Sequence, residues 1–121
     1  MIRGEFKSSD GRWVITEVFQ TEGMVEANRG LLKWPELSVE QGMWIKVNAP
    51  SKVIHTFGMK YTIDLVYLNK QLEVVKLVEH MVPRRMSCAA RGYSTIELKA
   101  GGIEKFGIEV GDQTQWSILS D

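Results

Sequence analysis

The groups best suited to chemistry in this chain lie in one short stretch, His55-Thr56-Phe57-Gly58-Met59-Lys60-Tyr61-Thr62-Ile63-Asp64. An imidazole oriented by a carboxylate acts as a general base. The glycine break at Gly58 would let the chain fold back so that His55 meets Asp64. Asp64 stands inside Ile63-Asp64-Leu65-Val66-Tyr67-Leu68, a run that is apolar on both faces and reads as a fully buried central strand. A carboxylate there is costly unless it is paired or hydrogen-bonded. Either Asp64 works with His55 on a substrate, or it holds backbone N–H groups of the 55–60 loop and His55 donates into that network. A hydrolase or lyase needs the two side chains in hydrogen-bond reach and open to a pocket. An Asp64 satisfied by backbone amides and shut away from solvent would rule that chemistry out.

Other constellations are weaker. No Gly-x-Ser-x-Gly elbow is present, and Cys88 stands in Ser87-Cys88-Ala89-Ala90 with no nucleophile motif around it. His55, Asp64, His80 and Cys88 have ligand chemistry, but their spacing matches no compact metal site. Neither a metal nor a cofactor is expected, and His80 reads as a solvated strand residue. Arg84, Arg85 and Arg91 flank a loop with Tyr93, a grouping able to hold a carboxylate, a phosphate or a sugar ring. If that loop and the His55 loop share one end of the sheet, together they form a cleft. Trp13 and Trp116 read as core. Trp44, alternating with Met43 and Ile45, reads as pointing outward beside Lys46, a hint of a partner surface.

The elements that must position these groups fit in one domain of 121 residues. Fifteen basic and fifteen acidic residues cancel, which argues against a nucleic-acid or anionic-membrane partner. The single cysteine excludes an internal disulfide. Met1-Ile2-Arg3-Gly4-Glu5-Phe6-Lys7 is no signal peptide and no apolar run approaches a membrane span, so a cytoplasmic location is the expectation.

Along the chain, 2–6 reads as a short edge strand and Ser8-Ser9-Asp10-Gly11 as a hairpin turn. In the next strand Trp13, Ile15 and Phe19 share a face. Met24, Ala27, Asn28, Leu31 and Leu32 have helical spacing, giving a main helix near 22–33 that Pro35 ends. Residues 43–47 and 95–100 alternate as half-buried strands. The strand 72–82 slips phase at Val74-Val75, a bulge. Residues 83–92 read as loop, and 102–106 as one helical turn with Gly107 as left-handed C-cap. The whole is mainly β, at the α+β border: an antiparallel sheet or sandwich of about 6–8 strands with one helix on it.

Several of these pieces together resemble the DUF192 family, also called UPF0127. The resemblance runs through Arg29-Gly30-Leu31-Leu32, His55-Thr56-Phe57-Gly58-Met59, Ile63-Asp64-Leu65-Val66-Tyr67-Leu68, Ile96-Glu97-Leu98-Lys99-Ala100-Gly101, Gly107-Ile108 and Gly111-Asp112. It covers roughly residue 13 to the C-terminus, and the middle block is its specific part. It implies a compact, mostly β domain from bacteria or archaea, and no established activity. The chain departs from the pattern twice. Lys33 or Trp34 stands where a basic residue usually follows the Gly-Leu-Leu block, and Thr62 stands where proline usually precedes the Ile-Asp pair.

The residues then point to a non-enzymatic small-ligand-binding or accessory domain. Its site is built from His55, Phe57, Met59 and Asp64 with Arg84 and Arg85, and it meets a small molecule or a protein. One alternative is a hydrolase or lyase using His55 and Asp64. The other is a structural or interaction module, a monomer or weak homo-oligomer meeting its copy through Trp44 and an edge strand.

Overall fold

The computed structural model describes residues 1–22, 36–46, 53–56 and 59–119, with Val53 and His55 described by their backbones. The expected helix near 22–33 lies almost wholly outside the described residues. Nine strands are described: β1 (Ile2–Ser8), β2 (Val14–Gln20), β3 (Gln41–Lys46), β4 (Val53–His55), β5 (Ile63–Leu68), β6 (Val74–Met81), β7 (Met86–Cys88), β8 (Ser94–Lys99) and β9 (Thr114–Ile118). One short helix, α1 (Gly102–Phe106), follows β8. It stands where the sequence places it, and Gly107 takes the left-handed conformation that ends it (φ 75°).

Seven strands form one sheet in the order β6-β5-β8-β3-β2-β1-β9, and β4 and β7 form a separate two-stranded ribbon. The expectation of a purely antiparallel sheet is corrected by one pair: β2 and β3 run parallel. Parallel neighbours need a crossover of a dozen or more residues, and the long stretch 21–40 provides it. β1, expected at an edge, lies between β2 and β9.

In place of a sandwich the structure has one sheet that curls on itself. The turn between β5 and β6 meets the turn before β9. Glu73 bridges Gln113, the Val74 N–H donates to Asp112 O at 2.9 Å, and the Gly111 N–H donates to Val74 O at 2.8 Å. These bonds join the two edge strands at one end, where free edges would otherwise stay unpaired. The result is a half-barrel.

Each face of the sheet has its own core because successive side chains point to opposite faces. The inner face gathers Phe6, Ile15, Trp44, Val66, Ile96 and Leu98. The outer face gathers Met43, Ile45, Leu65, Tyr67, Met59 and Ile54. Each fully buried aliphatic side chain contributes about 1.5–3 kcal/mol. β5 is buried at every position, as its apolar run predicts. β3 and β8, expected half-buried, are buried on both faces, because the ribbon and its neighbouring loops pack on the outer side. Trp44 is therefore an inner-face residue, 3% exposed, with its ring edge-on to Phe6 at 4.7 Å. The outward orientation expected from its alternation is wrong, since β3 has no solvent-facing side there.

Bulges reset the alternation. Opposite β1, Phe6 pairs with Ile15 but Gly4 with Val18, so the extra residue turns Val18 inward where Phe19 was expected. On β6, Tyr67 pairs with Lys76 and Leu68 with Val74, leaving Val75 as the extra residue at the predicted slip. Loop 83–92 contains β7, which registers against β4.

Gly4 shows how closely β9 packs. A Cβ there would stand 2.5 Å from Ser117 O and 2.5 Å from a Trp116 ring carbon. Gly4→Ala should therefore cost about 1–3 kcal/mol through overpacking, read by urea denaturation and by a changed tryptophan emission.

Candidate functional site

Asp64 is 0% exposed and its oxygens are occupied by backbone donors. One oxygen accepts the His80 N–H at 2.9 Å. The other accepts the Gly101 N–H at 3.1 Å and the Ile103 N–H at 3.0 Å. The His80 bond has a local cause. β6 bulges opposite Asp64, where Ile63 pairs with Met81 and Leu65 with Val78, and His80 takes φ 54°. An N–H taken out of the ladder needs an acceptor, and Asp64 supplies it. The other two bonds hold the β8–α1 turn, where Gly101 has φ 92°. Asp64 thus anchors loops, as one of its two expected roles required. The loops are 80 and 101–103 rather than 55–60, because Asp64 faces the inner side of the sheet.

Met59 packs on the outer side with Ile54, Ile63 and Leu65. The sheet therefore separates Asp64 from the loop it was expected to meet. The His55 and Arg84–Arg85 segments do come together: His55 pairs with Met86 across the β4–β7 ribbon. The fully buried Thr56 staples the two. Its N–H donates to Arg85 O at 2.9 Å, its hydroxyl donates to Val82 O at 2.8 Å, and that hydroxyl accepts the Arg85 N–H at 2.9 Å. Arg84, at φ 66°, is held in this uncommon conformation by its N–H bond to Thr56 O at 3.2 Å. Both arginine side chains are exposed. Phe57 lies outside the described residues.

Beneath the ribbon, Tyr67 faces Thr95 across β5 and β8, and both hydroxyls are buried without a hydrogen bond. Burial pushes the Tyr67 hydroxyl above the ordinary value of 10.0, with negative charge at Cys88 and Glu97 adding to it. The Ser87 hydroxyl opposes that rise without reaching hydrogen-bonding geometry. Tyr61 is raised by burial first, then by the charges of Glu97 and Glu36. Cys88 and His80 are exposed. Among the described residues no group of three His, Cys, Asp or Glu side chains is placed to hold a metal ion.

Among the described residues, a concave feature with aromatic and cationic lining lies at the open end of the half-barrel. A cavity of about 400 Å³ opens between the end of β3, the β5–β6 turn, the start of β8 and β9, bounded by Trp44, Trp116, Tyr93, Lys46 and Lys70. The Trp44 and Trp116 ring centroids are 5.0 Å apart, and the Trp44 Nε1–H donates to Ser94 Oγ at 2.9 Å. Lys46 Nζ is 5.0 Å from the Trp44 ring centroid, and Lys70 Nζ 5.1 Å from that of Tyr93. A second hollow of about 270 Å³ adjoins it beyond Tyr93, with Arg91 on its wall. Sequence reasoning missed this assembly. The Trp44–Lys46 proximity was its one readable signal, and it pointed to an outward surface.

A family model, DUF192 (Uncharacterized ACR, COG1430), matches residues 6–116. No match was found among curated proteins. Two crystal structures share the fold. A protein of unknown function from Novosphingobium aromaticivorans DSM 12444 is 24% identical with TM-score 0.77, over 94% of this chain and 84% of that one. A protein from Sinorhizobium meliloti 1021 bearing the description "putative transcription regulator" is 16% identical with TM-score 0.79, over 95% of this chain and 92% of that one. At those identities the likeness is one of fold.

Two substitutions test this geometry. Asp64→Ala leaves three backbone donors without their acceptor, each worth about 1–3 kcal/mol. Chemical denaturation should show a loss of about 3 kcal/mol or more, with Asp64→Asn in between. Tyr67→Phe removes a buried hydroxyl that has no partner, so stability near neutral pH should hold or rise. The hydroxyl keeps its proton more tightly in the folded state, so the unfolded chain ionises first and stability falls above about pH 10. That alkaline fall should be shallower in Tyr67→Phe, compared by urea denaturation at about pH 7 and about pH 11.

Proposed function

The chain belongs to the DUF192 family, and we propose that it serves there as a non-enzymatic small-ligand-binding domain whose ligand enters the cleft at the open end of the half-barrel. The observation that carries this reading is the cavity bounded by Trp44, Trp116 and Tyr93 with Lys46 and Lys70 at its rim. Ligand sites are concave, mostly apolar, and carry a few placed polar groups, and this cleft has that composition. The position of Asp64 supports the non-enzymatic half of the reading. Its carboxylate is buried and bonded to three amides, so it is not open to a pocket beside His55 as hydrolysis or lysis would require. The β4–β7 ribbon, with His55, Arg84 and Arg85 brought together on the outer side, is the second place a ligand could meet this domain.

A thermal-shift screen of small acids, sugars, amines and nucleosides tests the reading, because a molecule that binds only the folded state raises Tm. Hits should appear with the wild type and disappear with Tyr93→Ala, while His55→Ala retains them. Hits lost with His55→Ala and kept with Tyr93→Ala would move the site to the ribbon. A screen with no hits would defeat the binding reading altogether.

A further inference from the structure

The cleft is positive at its rim and aromatic inside, and this inference rests on reading it as the ligand site. We infer that its ligand is an anion carried on a planar ring, of the size and chemistry of a single-ring aromatic carboxylate.

Three observations carry the inference. The first is charge. Lys46 and Lys70 border the cleft and Arg91 borders the hollow beside it, and neither cavity has an aspartate or glutamate among its described lining residues. The carboxylate on the neighbouring turn, Glu73, already accepts the Asn69 side-chain amide at 3.1 Å. In a chain with zero formal net charge, this is a local concentration of one sign, and concave walls strengthen its field. Lysine presents a point charge rather than a planar fork, which suits one carboxylate oxygen per ammonium.

The second observation is the interior. Trp44 and Trp116 lie 5.0 Å apart with their planes tilted by 54°, and Phe6 packs against both, at 4.7 Å and 5.1 Å. Trp44 is further fixed by its bond to Ser94 Oγ. A planar ring entering the cleft meets the half-buried rings of Trp116 and Tyr93 at its wall, with Trp44 and Phe6 packed behind Trp116 as a rigid support, a surface suited to stacked or edge-on contact. The volume of about 400 Å³ lies in the lower half of the range of small-molecule sites.

The third observation is how the cations are held. Both ammonium groups rest over aromatic rings, Lys46 on Trp44 and Lys70 on Tyr93, and no described carboxylate forms an ion pair with either. A cation–π contact near the surface is weak and easily exchanged. A carboxylate arriving between the two lysines would exchange these contacts for charge-assisted hydrogen bonds. The turn bearing Lys70 is already braced, since Asn69 Oδ1 accepts the N–H groups of Gln71 at 3.0 Å and Glu73 at 2.9 Å. Ligand binding therefore requires rotation of two side chains and little ordering of backbone.

The probes are benzoate, its neutral isostere benzamide, and acetate as the anion without a ring. Each is titrated against the full chain while the tryptophan indole N–H signals are followed by NMR. Benzoate should shift Trp44 and Trp116 and bind about tenfold or more tightly than benzamide or acetate. Its affinity should fall with added salt. Lys46→Gln and Lys70→Gln, both surface changes checked for folding by circular dichroism, should each weaken benzoate severalfold and leave benzamide unchanged. Benzamide equal to benzoate would overturn the anionic requirement, and acetate equal to benzoate would overturn the ring. Failure of all three probes overturns the inference. If the broader screen still yields hits that Tyr93→Ala abolishes, the cleft remains a ligand site of other chemistry. If that screen also fails, both readings fall together.

Discussion

Three backbone amides from two separate segments converge on the carboxylate of Asp64. The buried centre of the sheet depends on that convergence, because each donor belongs to a place where the regular ladder stops. At His80 the β6 strand bulges and takes a positive φ. At Gly101 and Ile103 the chain leaves β8 and begins a single helical turn. Irregular backbone beside a core carries N–H groups that no neighbouring strand can accept, and leaving them unpaired is costly. One carboxylate accepts all three. A carboxylate suits this role because two oxygens on one side chain can accept from several donors. It also fixes the chain direction after β8, so that Ile103 and Ile108 close the inner core.

The same placement decides what chemistry is left. A carboxylate bonded to three amides within the inner face cannot orient a histidine on the ribbon of the outer face. The two groups that a linear reading joins are divided by a sheet whose central strands are buried on both sides. The cavity proposed as the ligand site lies instead at the end of the half-barrel. There the curl leaves a mouth open, with Lys46 over the core ring of Trp44 and Lys70 over the half-buried ring of Tyr93. The curl itself is held by the bonds between the β5–β6 turn and the segment before β9. Those bonds also bring Leu72 and Trp116 together in the lining of the cleft.

Sequence alone determined the features that arise from local patterns. The unbroken apolar run of β5, the Asp-Gly hairpin after β1, the bulge at Val75, the turn 102–106 with its glycine cap and the need for Asp64 to be satisfied are all properties of a few neighbouring residues. So is the family, whose blocks are short motifs in fixed order. Tertiary structure decided what depends on distant partners. The parallel pairing of β2 with β3 rests on a crossover whose path no local pattern encodes. The burial of Trp44 rests on the second face of β3 being covered. The partners of Asp64 rest on which side of β5 it faces relative to residues 16, 37 and 39 positions further along. The cleft gathers Lys46, Lys70, Tyr93 and Trp116 from four segments. Their proximity is a consequence of sheet curvature, a collective property of seven strands that the spacing of residues along one of them does not contain.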